Sequence, residues 1–513
     1  MLFLLNPLFY SLLLLFFSLL FLYLRLFTTK TTANQPPSPP KLPIIGNLHQ
    51  LGLFPHRSLR SLAQRYGPLM LLHFGSKPVL IVSSADAARE IMKTYDLIFS
   101  NRPKSSIAGK LLYSKDVAFA PYGEYWRQVK SICVIHLLSN KRVESFRAIR
   151  EEETALMIKK IEECSSSSSC CSPVNLSEMF LSLTNDVVCR VALGRKYSGR
   201  EGAKKFKVLL GEFLELLGTF SVGDYIPWLS WLNRVNGLDA KVEKVAKELD
   251  EFLEGVVEEH LDSQKRRNNG GGKVDQDKDQ QDFVDVLLEF QRHDMDNYSL
   301  HRDSIKAVIL DVFAAGTDTT YTALEWAMTE LLRHPKVMKE LQNEVRGIAK
   351  GKQEIAEDDL EKMHYLKAVM KESMRLHPPI PLLVPRESTK DVKVMGYDIA
   401  AGTQVIINAS TIGKDPLLWE EAESFRPERF LNTSIDFQGH DFQLIPFGAG
   451  RRGCPAILFA AIVNELALAN LVYKFDFAQP GEARGQVLDM TETSSLTVHK
   501  KYPLLVVTTT YSF

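Results

Sequence analysis

The chain opens on an unbroken apolar run: its first 24 residues contain no charged side chain and are dominated by Leu and Phe. About 20 such residues cross the roughly 30 Å of bilayer hydrocarbon, so the run predicts a transmembrane helix. The basic start, shorter apolar core and small-residue cleavage site of a signal peptide are missing. Arg25, Lys30 and Lys41 follow the span, and by the positive-inside rule the bulk of the chain is expected in the cytosol. The sequons at Asn175 and Asn432 are then expected to stay unglycosylated. Proline density in QPPSPPKLPIIGN, 35–47, disfavours helix and predicts a stiff extended spacer.

Beyond the spacer, apolar positions recur mainly at helical spacing, with strand-like runs near 68–83, near 390–407 and in the C-terminal TVHKKYPLLVVTTT. The clearest stripe runs from Ile305, Val308 and Ile309 to Ala327, Met328 and Leu331. It predicts a helix over 301–334, about 50 Å long at 1.5 Å per residue. The same stripe passes through AAGTDTT, 314–320, where Gly316 costs roughly 1 kcal/mol and buried hydroxyls need partners. One explanation is a local opening over a reactive centre, with Thr319 bonded back to the carbonyl of Ala315. The other is a kinked core helix whose threonines are satisfied internally. Asp318 shares heptad spacing with Asp311 and Glu325, the pattern of a solvated flank.

With 513 residues and 45% hydrophobic content the chain can bury a large core, and no internal boundary divides it. Zero net charge gives no support for a nucleic-acid partner. Of the six cysteines, Cys164, Cys170 and Cys171 flank a serine run that reads as a flexible loop, and no disulfide framework emerges. KRRNNGGGKVDQDKDQQD, 265–282, reads as a disordered surface loop.

The candidate chemistry lies in FGAGRRGC, Phe447 to Cys454. Arginines beside a sulfur favour its ionised form, and Gly448, Gly450 and Gly453 let backbone approach a flat ligand closely. A thiolate here suits a metal within an anionic macrocycle, while a free cysteine buried at a helix start fits the same residues. Upstream, Glu372 and Arg375 are three apart on one predicted helix and can pair, and Arg429 sits in the proline-constrained FRPERF.

AGTDTT, KESMR, PERF and FGAGRRGC, in that order behind an anchor and a proline-rich segment, resemble the motifs of the cytochrome P450 superfamily of haem-thiolate monooxygenases over nearly the whole chain. LPIIGNLHQL, FAPYGEYWR, LHPPIPLLVPRES and FGAGRRGCP are similar to the plant A-type branch, in particular its seventy-one clan. The resemblance implies a mainly α fold, a large helical domain around haem with a smaller β-rich region. It implies an anchor at 1–30, a hinge at 31–47 and a catalytic domain at 48–513.

Residue by residue, the resemblance implies Cys454 as the axial ligand of haem b (iron protoporphyrin IX). Phe447, Gly450, Trp126, Lys130, Arg386 and Arg452 would hold the cofactor, and Thr319 with Asp318 would deliver protons. Glu372, Arg375 and Arg429 would form a structural network behind the haem. Phe119, Ala315, Ile380, Leu382, Leu383, Val384 and Ser494 would touch substrate. Two departures stand out: Lys130 where many relatives have arginine in W-x-x-x-R, and Ala456 where glycine is usual two residues after the cysteine.

No flavin or nicotinamide fingerprint is present, so electrons are expected from a separate NADPH-cytochrome P450 reductase. The expected activity is oxidation of a small lipophilic plant metabolite (terpenoid, aromatic or aldoxime-type) with O2 at the endoplasmic reticulum membrane, the anchor contacting lipid. An oxygen-independent haem-thiolate lyase or dehydratase, or a noncatalytic haem sensor, are the alternatives; Asp318 and Thr319 together argue for the monooxygenase.

Overall fold

The computed structural model describes residues 7–27, 34–166, 173–196, 201–269, 281–292, 300–480 and 488–511. Pro7–Phe27 is one 21-residue helix, about 32 Å long at helical rise, and its described side chains from Phe9 to Phe21 are exposed. The helix Ile457–Lys474 is also long and largely apolar, yet most of it is buried inside the body, as expected of a core helix. The proline-rich segment is extended and tied down. Pro37 O accepts the Leu71 N–H at 2.9 Å, and Asn47 Nδ2 bonds the carbonyls of Pro39 and Pro40.

Among the described residues nine short strands form three small sheets. β1 (Leu69–Phe74) and β2 (Lys77–Val82) make an antiparallel hairpin, and β2 runs parallel to β7 (Gln404–Ile407), which carries β4 (Arg386–Glu387) on its other edge. β3 (Val174–Asn175), β9 (Leu505–Thr510) and β8 (Phe475–Ala478) form the second sheet, and β5 (Val392–Val394) pairs with β6 (Tyr397–Ile399). Strands fall in all three predicted runs, although TVHKK contributes only an isolated bridge at Lys500.

The rest is chiefly helix. The predicted 301–334 helix is present as Arg302–Phe313, a widened π turn Ala314–Asp318, and Thr319–Arg333. It runs through the main core between Leu176–Leu193, Ile457–Lys474 and His364–Leu376. Two loop readings change. Leu238–Asn269 continues as helix into the polar 265–282 segment, of which 270–280 lie outside the described residues. Cys164 sits exposed on the helix Arg147–Ser166, while Cys170 and Cys171 lie outside the described residues.

The solvated flank is also corrected. Glu325 is buried, accepting from Ser177 Oγ and the Lys500 N–H, Asp318 faces protein, and Asp311 borders the internal cavity while accepting the Val117 N–H. Heptad spacing places groups on one face of a helix and is silent about what packs against that face.

Candidate active site

The cysteine loop folds back on itself: the Cys454 N–H donates to Phe447 O at 3.0 Å, and the Ala456 N–H points at Cys454 Sγ at 3.4 Å. Gly448 and Gly450 both adopt left-handed φ, +69° and +68°, which glycine takes without strain. Their tasks differ. A Cβ on Gly450 would sit 2.3 Å from Met92 O, so Gly450 seats the loop against its neighbour and does not line the cavity, contrary to the expected cofactor contact. Gly448 meets only Leu383, at 3.9 Å, and leaves a flat face open to the cavity.

The expected role of the loop's arginines beside the sulfur is corrected too. Arg451 turns to Asp96, and Arg452 turns away to the carbonyls of Ser100, Val117 and Ala120 at 2.7, 3.2 and 2.7 Å. Burial pushes the Cys454 thiol up, opposed by the Ala456 N–H and by Lys130. Lys130 Nζ donates to Gly453 O at 2.9 Å, and the lysine of the W-x-x-x-R departure is the cation whose charge acts on the thiol.

Four cations border one cavity with the thiol: Lys130, Arg386, Arg452 and Arg102. Arg452 stacks on Trp126 with 4.0 Å from guanidinium to ring centre, while Trp126 Nε1 donates to Val117 O. Arg386, on β4, bonds Ala449 O at 2.6 Å and Asp96 at 3.2 Å. Arg102 was not legible in the sequence. It is placed by the carbonyls of Ala118, Val384 and Pro385, the last two from a segment remote in the chain, and no local pattern announces such partners. Burial lowers the pKa of all four, Arg452 depressing Arg102 further; Arg452 falls to about 10, through burial first and the Arg386 charge second. A site that holds cations against this desolvation suits an anionic ligand.

The opposite wall is the π turn. Thr319 Oγ1 donates to Ala315 O at 2.5 Å, the back-bond the spacing predicts, and Ala315, Gly316, Thr319 and Thr320 border the cavity. Gly316 also has a packing reason, because a Cβ there would lie 2.8 Å from Val188 Cγ2 on the crossing helix. Asp318 does not reach the cavity; it bonds Thr497, which does, and burial raises its pKa.

Phe119, Ile380, Leu383, Val384 and Phe447 line the cavity. Ser494 does not: its hydroxyl donates to Leu53 O at 2.6 Å on the exposed side, and Leu496 and Thr497 face inward instead. Leu382 packs against the β1–β2 cluster rather than lining the cavity. Irregular backbone has no periodicity from which to read the inward residue.

Glu372, Arg375 and Arg429 are brought together. Both Glu372 oxygens bind Arg375, at 2.7 and 2.8 Å, and Arg429 Nε reaches Glu372 at 3.1 Å, with Glu372 and Arg375 sealed from solvent. Arg375 also donates to the carbonyls of Gly413, Ala422 and Ser424.

A thiol on one wall, four cations at the rim and a threonine on the facing helix form a donor set that fits an iron porphyrin with two propionates. The family model described as Cytochrome P450 matches residues 36–506. The chain belongs to the cytochrome P450 family. It is 64% identical to "Cytochrome P450 736A117" of Prunus mume, over 94% of this chain and 92% of that one. It is 58% identical to "Norfluorocurarine oxidase" of Strychnos, over 98% of each. A solved zebrafish cytochrome P450 shares the fold, with TM-score 0.74 and 24% identity over 90% of this chain and all of that one. This P450 is therefore a haem b monooxygenase of the plant A-type, and the family brings with it a redox partner, dioxygen and a lipophilic substrate.

Proposed function

We propose that this P450 oxidises a small lipophilic plant specialised metabolite, of terpenoid, aromatic or aldoxime type, with electrons from NADPH through a separate reductase. The observation that carries the proposal is the cavity wall. Phe119, Val312, Ile380, Leu383, Val384 and Leu496 line the cavity that the thiol borders, and the surface it offers is mostly apolar. Such a wall favours an apolar ligand over a sugar or phosphate. Relatives named norfluorocurarine oxidase and, at 56% identity, 3-beta-hydroxylase of Tanacetum parthenium support a plant small molecule as substrate. The apolar Pro7–Phe27 helix supports a single anchor in the endoplasmic reticulum membrane, with the body in the cytosol.

Haem b held by Cys454 would supply dioxygen binding and reductive O–O cleavage, which a thiolate ligand favours. The protein's own part is positioning and protons. Lys130, Arg102, Arg386 and Arg452 would hold the propionates, with Trp126 bracing Arg452. The Thr319 hydroxyl is anchored to Ala315 O with its oxygen free to accept a proton-bearing water. Asp318, one residue earlier and held above its ordinary carboxylate range by burial, would feed protons towards that water through Thr497, the cavity-lining residue it bonds.

Full-length protein reconstituted with a plant NADPH-cytochrome P450 reductase is expected to show substrate-induced displacement of the iron's water ligand by members of a terpenoid, aromatic and aldoxime panel. One labelled oxygen atom from ¹⁸O2 should enter the product. Conversion that proceeds without dioxygen would replace the monooxygenase step by a lyase or dehydratase. In the same system Thr319→Ala should release several times more peroxide per NADPH consumed and less product; an unchanged peroxide-to-product ratio removes the relay role.

A further inference from the structure

Residues 116–120 form a short bridge between the central helix and the cation rim, and both edges of that bridge are occupied. On one edge, Asp311 accepts the Val117 N–H at 2.5 Å, and Asp116 accepts the Phe119 N–H at 2.5 Å. On the other, Val117 O receives Trp126 Nε1 and Arg452 Nη1, Ala118 O receives Arg102 Nε at 2.8 Å, and Ala120 O receives Arg452 Nη2 at 2.7 Å. Asp116 is fully buried, and its Oδ1 has no partner among the described residues.

We propose that Asp311 and Asp116 are positioning residues for haem: they fix the 116–120 peptides whose carbonyls aim Arg102, Arg452 and Trp126 at the propionates.

The electrostatics explain why carboxyls would act through a peptide segment instead of binding the arginines directly. A guanidinium held by carbonyls keeps its full charge for an incoming anion, whereas one paired with a carboxylate is already neutralised. Arg386, paired with Asp96, is the neutralised member of the rim; Arg102 and Arg452 are not. Burial raises both acids, and the Asp116 carboxyl raises Asp311 further, which limits the negative charge the pair sets against the rim. The charged or titratable groups facing the pair are Arg102 and Arg452, with Lys130 and Cys133 on the neighbouring helix.

The test uses full-length holoprotein and two readouts that do not depend on turnover: haem transfer to excess apomyoglobin, and the haem-propionate bending bands in resonance Raman. Asp311→Ala removes the acceptor and should speed haem release by about 10- to 100-fold, the usual cost of losing an outer-shell partner. It should also shift the propionate bands, while the thiolate spectrum of Cys454 persists. Asp311→Asn keeps an oxygen for the Val117 N–H and should restore both readouts towards wild type. If Asp311→Ala does not accumulate folded, Asp116→Ala frees the other end of the bridge and should give the same pair of changes. Wild-type release and unshifted bands in the alanine variants overturn the proposal. So does faster release in Asp311→Ala and Asp311→Asn alike with unshifted bands, which marks a general loosening of the fold.

Discussion

Cys454→Ala is expected to abolish the thiolate-type absorption of the reduced, carbon monoxide-bound protein and to reduce monooxygenase activity to background. The reason is chemical, not structural. The Cys454 side chain faces the cavity, and its one hydrogen-bond partner among the described residues is the Ala456 N–H at 3.4 Å, a weak contact to sulfur. The loop is held by other means: the backbone bond from Cys454 to Phe447, Gly450 seated on Met92, and the Arg452 side chain with its three carbonyls. Removing one sulfur from the edge of a cavity should therefore leave the haem-free protein's thermal stability almost unchanged. Spectrum and activity measured beside a melting curve separate ligand loss from unfolding. A persisting thiolate band in Cys454→Ala would sink the ligand assignment.

The second large effect is on folding. Glu372→Ala leaves Arg375 fully buried without its carboxylate and strips Arg429 of its contact at 3.1 Å. Breaking a buried ion pair by deleting one partner costs about 3–5 kcal/mol, a large share of the 5–15 kcal/mol by which folded domains are typically stable. Arg375 would keep its bonds to Gly413, Ala422 and Ser424, but neutral carbonyls do not balance a buried charge. Expression of Glu372→Ala should give little soluble, haem-loaded protein, read as the carbon monoxide difference spectrum per milligram. Glu372→Gln should fare nearly as badly, since it keeps the shape and loses the charge. Wild-type haem content and melting temperature in Glu372→Ala would contradict the network's role. Because Glu372 does not border the cavity, the small folded fraction should keep wild-type product selectivity.

The two cases differ in how they could be read from sequence. The i, i+3 spacing of Glu372 and Arg375 promised a pair but not its burial; the segments carrying Gly413, Ala422, Ser424 and Arg429 must fold over it first. The helical stripe at 301–334 and its faulty middle were legible because both are local, and the π turn Ala314–Asp318 falls where the stripe breaks. The glycine in that break also answers to Val188 on another helix, a reason that no local reading contains. Arg451 and Arg452 illustrate the converse error. Adjacency in the chain suggested that they serve the sulfur, yet backbone direction sends one to Asp96 and the other to the rim, and Lys130 takes the place beside Cys454.

By itself, the sequence determined the family, the cofactor, the thiol beside it, the central helix and the apolar N-terminal helix. Each of these depends on a short motif or a periodicity, and residues close in the chain have no freedom to be far apart in space. Only the tertiary structure decided which of Gly448 and Gly450 faces the cavity, that Arg102 joins the rim, that Thr497 rather than Ser494 looks inward, and that the Asp311 carboxyl accepts a peptide N–H of the 116–120 bridge. Those outcomes depend on where irregular loops return to touch helices tens or hundreds of residues away. Burial and charge acquire their values there only once the segments have met.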